Sequence, residues 1–308
     1  MPENNGKFIL PQGIRIGHAN DDYTGVTCIL TDRAVGGVSV RGGAPGTRET
    51  DMLRAEKSQA HVDAIVLSGG SAYGLEAACG VSDYLREKKI GFSIGDKVVP
   101  LVASAILFDL NTPGEYHYPD KAMGRAAAEN AKADNIAFGA VGAGKGATVG
   151  KLFGLQNSCK SGIGGATLRF GNVFVSAVVA VNALGDVIEH RTGKVLAGAK
   201  LGGRFINTAE AMTDGKLLQM MSMQARTNTT IGCVMTNAKL DKVGVNKLAA
   251  ASHDGLAMSI RPVHTDADGD TMFALSCGEE VTDINILMAL SAEATAFAIE
   301  DAIKELQK

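Results

Sequence analysis

Thr227-Asn228-Thr229-Thr230-Ile231-Gly232-Cys233-Val234-Met235 sets two adjacent threonines behind an asparagine, at the head of an apolar run. The run reads as a buried β-strand. A threonine hydroxyl is a poor nucleophile unless a base sits beside it. One solution is to make the threonine the first residue of a chain, so that its own α-amine serves as the base. That amine titrates at about 7.7–8 when unperturbed, so it is partly neutral near neutral pH. Thr229 is internal, so this chemistry requires the Asn228–Thr229 bond to be cut first. Taken alone, Asn-Thr-Thr before a strand is more often a turn capped by hydroxyls. The sharper reading has to come from the rest of the chain.

On the C-terminal side, Asp241 is placed to cap a helix reaching about Ile260, with His253-Asp254-Gly255 inside it as a packing and breaker feature. His264-Thr265-Asp266-Ala267-Asp268-Gly269-Asp270-Thr271 then forms an acidic turn before a strand, Met272–Ser276. Its spacing does not make a calcium loop, because the glycine is misplaced and no glutamate closes it. Asp268 and Asp270 can instead point into a site and orient a hydroxyl and an ammonium. A long helix from about Thr282 to Glu305 ends the chain, apolar on more than one face.

On the N-terminal side, Val173–Val181 is strongly strand-like and ends in the turn Asn182-Ala183-Leu184-Gly185-Asp186. Asn182 either stabilises that turn or offers its amide to an oxyanion. Asn207–Met223 reads as irregular or helical. Gly139–Lys145 mimics phosphate-loop spacing, but Gly146 stands where that motif needs Ser or Thr. Lys151 follows a β-like stretch and precedes Leu152-Phe153, a setting for a partly buried lysine that must be paired or functional. Pro119–Ala133 is an alanine-rich helix. Ala64–Leu67 is a short strand followed by Ser68-Gly69-Gly70-Ser71-Ala72-Tyr73-Gly74-Leu75 and a helix to about Lys88. Strand, glycine turn and helix together aim backbone N–H groups at an anion, which makes Gly69, Gly70, Ser71 and Tyr73 candidates for substrate binding. The plainer role for Ser71 is a helix N-cap. Arg41–Asp51 is a glycine-rich loop that can line a pocket. Val26–Thr31 and Ala34–Val40 read as two strands joined by a hairpin turn at Asp32-Arg33, after a first strand near Ile14–His18.

The chain has 308 residues, 45% of them hydrophobic, enough for a large core. The net charge is −3 and no Lys/Arg cluster or aromatic stacking platform is present, which argues against nucleic-acid binding. The five cysteines are scattered and suggest buried thiols in a reducing compartment. The N-terminus lacks a signal-peptide core, and the apolar stretches are too short to cross a bilayer. A soluble cytoplasmic protein with no membrane partner is expected. Strands and helices are interspersed without a regular βαβ alternation, which favours one α+β domain over residues 1–308.

Taken in order, these segments resemble the self-processing L-aminopeptidase/D-esterase family, which includes β-peptidyl aminopeptidases and nylon-oligomer hydrolases. The resemblance runs through Gly13–His18, Val40–Asp51, Leu67–Leu75, Val99–Asp109, Gly142–Lys151, Val181–Asp186, Asn228–Gly232 and His253–Asp270. It implies a four-layer αββα sandwich similar to the amino-terminal-nucleophile hydrolases, with different connectivity. It implies autocleavage between Asn228 and Thr229 into residues 1–228 and 229–308, which stay together in a homo-oligomer, most often a tetramer. The roles it implies are Thr229 as nucleophile, Asn182 as oxyanion donor, Lys151 at the site, and Asp268 and Asp270 bonding the nucleophile. Lys151 is similar to the nylon-oligomer-hydrolase branch, whereas the β-aminopeptidase branch has a tyrosine near there. Asp268 stands where some relatives have serine. The implied substrate is a small peptide-like amide or ester, and no cofactor or metal is expected. Two other classes fit less of this pattern. They are an acyltransferase similar to the ornithine acetyltransferases and an uncut, non-catalytic binding protein.

Overall fold

A computed structural model describes residues 7–214 and 228–308. Nine strands form one hydrogen-bonded sheet: β1 (Ile14–Asn20), β2 (Gly25–Val40), β3 (Thr47–Arg48), β4 (His61–Ser68), β5 (Val102–Ile106), β6 (Ile163–Phe170), β7 (Val173–Asn182), β8 (Thr229–Ala238) and β9 (Thr271–Glu280). Their order is β6-β7-β8-β9-β2-β4-β5-β3, with β1 also paired to β2. Among the described residues the α-helices are α1 (Ala77–Glu87), α2 (Lys121–Glu129), α3 (Thr208–Thr213), α4 (Lys242–Ser259) and α5 (Ile284–Lys304).

The buried side chains sort this sheet into layers. Along β7, Val175, Ala177, Val179 and Val181 join a core with Leu248 of α4 and Ile299 of α5. The alternate residues Val178 and Ala180 face a second core with Ile231 and Cys233 of β8, Phe273 of β9, and Ile65 and Leu67 of β4. Along β4, Ala64 and Val66 turn the other way, toward Ala77 and Val81 of α1 and Ala127 of α2. The period-2 alternation thus places α4/α5, one half of the sheet, the other half, and α1/α2 in succession. These are the four layers αββα.

β2 joins the two halves, and here the structure corrects the expected hairpin at Asp32-Arg33. Val26–Thr31 and Ala34–Val40 are parts of one strand. The first half lies between β1 and β4, and the second pairs with β9, so the two halves never meet. Arg33 takes φ +64°, and the register against β4 slips between Leu30 and Ala34. A bulge of this kind bends a strand and redirects its pairing.

The cap expected at Asp241 is present, and two further aspartates do the same elsewhere. Asp120, Asp241 and Asp283 cap α2, α4 and α5, accepting the backbone N–H groups of Met123, Gly244 and Asn285. The apolar faces of α5 are buried, and its one buried carboxylate, Glu300, is paired with His190 at 2.5 Å and Lys304 at 2.8 Å. Helix α3 occupies part of Asn207–Met223, and the rest of that stretch from residue 215 lies outside the described residues. Gly164 of β6 explains how closely α5 can sit: a Cβ there would come 2.1 Å from the carbonyl oxygen of Ala298. The cysteines are unpaired. Among the described residues no helix is long and apolar enough to cross a membrane.

Candidate active site

Three strand ends assemble the site. β7 and β8 run antiparallel with Asn182 directly opposite Thr229. β8 runs parallel to β9, and just before both strands Asn228 bridges to Asp268. The turn carrying Asp268, Gly269 and Asp270 therefore lies across the Asn228–Thr229 bond. The loop after β2 clamps this turn from behind. Arg41 N donates to Asp270 O at 2.8 Å, and Ala44 N to Asp268 O at 2.9 Å. The glycine-rich loop expected to line a pocket thus packs on the acidic turn.

The Asn228 carbonyl oxygen is held from two sides. It accepts the Thr229 hydroxyl and, at 3.2 Å, the backbone N–H of Gly269. The next amide, Thr230 N, donates to Asp270 Oδ1 at 2.7 Å. Gly269 has no alternative side chain, since a Cβ would fall 2.8 Å from Thr229 Oγ and 2.6 Å from Ala44 O. Thr229 and Asn228 are both 3% exposed.

Lys151 lies beneath, 1% exposed. Its Nζ donates to Asn182 O at 3.0 Å and to Asn182 Oδ1 at 2.9 Å. Burial lowers its pKa to about 7, opposed only in part by the charges of Asp268 and Asp109. A lysine that titrates near 7 is partly the neutral amine at neutral pH, the form that can act as a base. Asn182 is fully buried; its Oδ1 also accepts Thr148 N at 3.1 Å, and one of its amide N–H bonds goes to Phe108 O at 2.9 Å. The oxyanion donor role implied for Asn182 is therefore partly taken up by Phe108 in the uncut chain.

The two aspartates do different work. Asp268 Oδ2 accepts the backbone and hydroxyl of Thr265, at 2.9 and 2.5 Å. Burial, then the neighbouring Asp270, hold its carboxyl above the usual carboxylate range. Asp270 points to Thr230 and His264. Their carboxylates diverge, and no group of three or more His, Cys, Asp or Glu among the described residues could hold a metal ion.

The Gly69–Tyr73 turn departs from its expected role. Gly69 N donates to Gly25 O at 2.9 Å, Gly70 N to Asp109 Oδ1 at 2.6 Å, and Ser71 N to Leu107 O at 2.9 Å. All three amides are engaged by groups of the protein itself, that of Gly70 by the Asp109 carboxylate, and none is left for a substrate anion. The N-cap position belongs to Gly70 at φ +77°, and Ser71 itself is left-handed at φ +54°, with no side-chain cap. Tyr73 is 54% exposed and packs near Tyr116 and Tyr118. The turn is tied to the site through Asp109, next to the Phe108 that binds Asn182. Burial raises the Asp109 carboxyl to about 6 despite the bonds from Gly70 and Thr24. Asp109, Gly269 and His264 were not identified from the sequence. The sole hint was the Asp-Gly-Asp spelling around Gly269.

Comparison with known proteins agrees with this architecture. A model of peptidase family S58 matches residues 12–307. The chain is 41% identical over 283 residues to an uncharacterized aminopeptidase of Mycobacterium bovis, covering 86% of this chain and 80% of that protein. It is 36% identical over 282 residues to a 6-aminohexanoate-oligomer endohydrolase of Paenarthrobacter ureafaciens, covering 89% of this chain and 75% of that one. In structure it is similar to the L-aminopeptidase D-Ala-esterase/amidase of Ochrobactrum anthropi, described as a new variant among the Ntn hydrolase fold. The TM-score is 0.69 at 16% identity, over 96% of this chain and 85% of that one. A β-aminopeptidase of Burkholderia sp. gives TM-score 0.69 at 19% identity, over 98% and 87% of the two chains. The fold is thus the Ntn-hydrolase variant, and the protein is an amide hydrolase of aminopeptidase type. It belongs to peptidase family S58.

Proposed function

We propose that the chain cuts itself between Asn228 and Thr229, and that Thr229, as the new amino terminus, hydrolyses small peptide-like amides. The observation that carries this reading is the pairing of the Thr229 hydroxyl with the Asn228 carbonyl, under the Gly269 N–H. In the uncut chain Thr229 Oγ attacks the Asn228 carbonyl carbon and its proton passes to Lys151 Nζ. Gly269 N–H stabilises the oxyanion, as backbone donors do in acyl transfer. The C–N bond then breaks, the proton returns to the Thr229 nitrogen, and an Asn228 ester on Oγ is left. Water hydrolyses that ester, giving the Asn228 carboxylate and a free Thr229 amine and hydroxyl. Since Thr229 is 3% exposed before cleavage, cutting both makes the amine and precedes access by substrate.

The mature reaction repeats this chemistry on a substrate amide. Thr229 Oγ attacks the acyl carbon, its own amine or Lys151 takes the proton, and the acyl-threonine ester is hydrolysed. Asn182, Asp268 and Asp270 frame the nucleophile. Cytoplasmic location and assembly of the cut units into a homo-oligomer, a tetramer first among them, belong to the same proposal.

The test is the intact mass of the purified protein under denaturing conditions, with sequencing of any new amino terminus. Two fragments, with the smaller beginning at Thr229, support the reading. A single 31.9 kDa species that persists on long incubation overturns it. Gly269→Ala adds a sharper demand. Its Cβ meets both Thr229 Oγ and the Ala44 carbonyl, so cleavage is expected to slow by at least about 10²-fold, the scale of a nucleophile misplaced by about 1 Å. Time-resolved gel analysis of newly synthesised chain measures it.

A further inference from the structure

Asp270 is 1% exposed, and three protein N–H groups fix its carboxylate. Thr230 N holds Oδ1, while His264 gives Oδ2 both its backbone N–H, at 3.2 Å, and its ring Nδ1, at 2.8 Å. A carboxylate oxygen accepts, so the proton of this pair lies on Nδ1. His264 reaches this position only from a left-handed backbone, φ +56°. A non-glycine residue in that region is uncommon and collects at functional sites. Its ring meets the ring of His253 of α4 edge-on, with centroids 4.8 Å apart. Burial lowers His253 to about 4, and its Nε2 is bonded to Ser39 O at 2.9 Å. His253 is thus a neutral wall that keeps the His264 ring in place.

The consequence falls on Thr229. Its peptide to Thr230 carries the N–H that Asp270 holds. That bond sets the plane on the C-terminal side of the nucleophile while the Asn228 side is being broken. We propose that His264 is a positioning residue for the cleavage reaction, locking Asp270 so that the Thr229–Thr230 peptide presents Oγ to the Asn228 carbonyl. This rests on the reading of Thr229 as the self-cleaving nucleophile.

Two variants separate positioning from folding. His264→Gly accepts φ +56° without strain and removes the ring donor. His264→Asn also tolerates the left-handed region, and its side-chain N–H can stand where Nδ1 stands. The rate of Asn228–Thr229 cleavage is followed by intact mass in newly synthesised wild-type and variant chains, together with melting temperature. The expected result is cleavage slowed 10–100-fold in His264→Gly, and restored to within a few-fold of wild type in His264→Asn, at equal melting temperatures. A glycine variant that cuts as fast as wild type, or an asparagine variant as slow as the glycine one, overturns the proposal. So does a loss of rate that follows a lowered melting temperature in both. A wild-type chain that never cuts instead defeats the self-cleavage reading itself.

Discussion

Thr229→Ala is expected to yield one uncut chain with no amide hydrolase activity. The methyl group cannot attack, and without cleavage there is no amino-terminal threonine to act as base and nucleophile together. The effect is therefore a complete loss, in contrast to the 10²–10³-fold cost of deleting one oxyanion donor. Thr229→Ser keeps the hydroxyl and is expected to cut and to retain activity. Intact mass reads the first effect, and release of product from an aminoacyl p-nitroanilide reads the second. A Thr229→Ala chain cut after Asn228 would remove the autocatalytic model, because the bond would then be broken by something other than this hydroxyl. The fold is expected to survive, since Thr229 heads β8 and its backbone, not its methyl group, makes the pairing with Asn182.

Lys151→Met is expected to slow cleavage by about 10²–10⁴-fold, the range for a lost general base. The uncut chain makes this test clean. The Thr229 α-amine does not yet exist there, so the pH profile of cleavage reports Lys151 without its competitor. Burial places the lysine near 7; the amine is the base, so the rate rises with pH up to about 7 and then levels. Below it the rate falls tenfold per pH unit. Lys151→Arg stays protonated throughout and is expected to abolish both rate and inflection. Stability follows with a definite sign. The folded-state value lies below the ordinary lysine value of 10.5, so between the two the unfolded chain binds the extra proton, and stability rises as pH climbs from about 7 to 10.5. The cost of the buried ammonium is fully present below pH 7. Cleavage of newly synthesised chain across pH 5–9 measures the first effect; a profile unchanged in Lys151→Met would assign the base elsewhere.

The candidate residues carry a positional signal in the sequence, and their roles come from the family resemblance. Thr229, Asn182, Lys151, Asp268 and Asp270 stand out because each occupies a strand end or turn, or interrupts an apolar stretch, where an unpartnered polar group is costly. Their neighbours were not visible. Gly269 acts through its backbone N–H, which carries no side-chain signature. His264 matters through a left-handed φ that the sequence does not encode outside glycine and asparagine. The Gly69–Ser71 turn has the spelling of an anion site, yet long-range acceptors at Gly25, Leu107 and Asp109 engage its amides. The hairpin at Asp32-Arg33 failed for a related reason. Local turn residues suit either a reversal or a bulge, and the partners on β1, β4 and β9 decided between them.

Strands with period-2 burial, the helix capped by Asp241 and the residue types available for chemistry were legible along the chain, because these depend on neighbours within a few positions. Packing of the layers is what puts β8 between β7 and β9, Asn182 opposite Thr229, and the Gly269 N–H against the Asn228 carbonyl. The same packing keeps the Lys151 amine dry enough to lose its proton near neutral pH. Strand register and desolvation are set by groups distant in the chain, which meet only when the layers close.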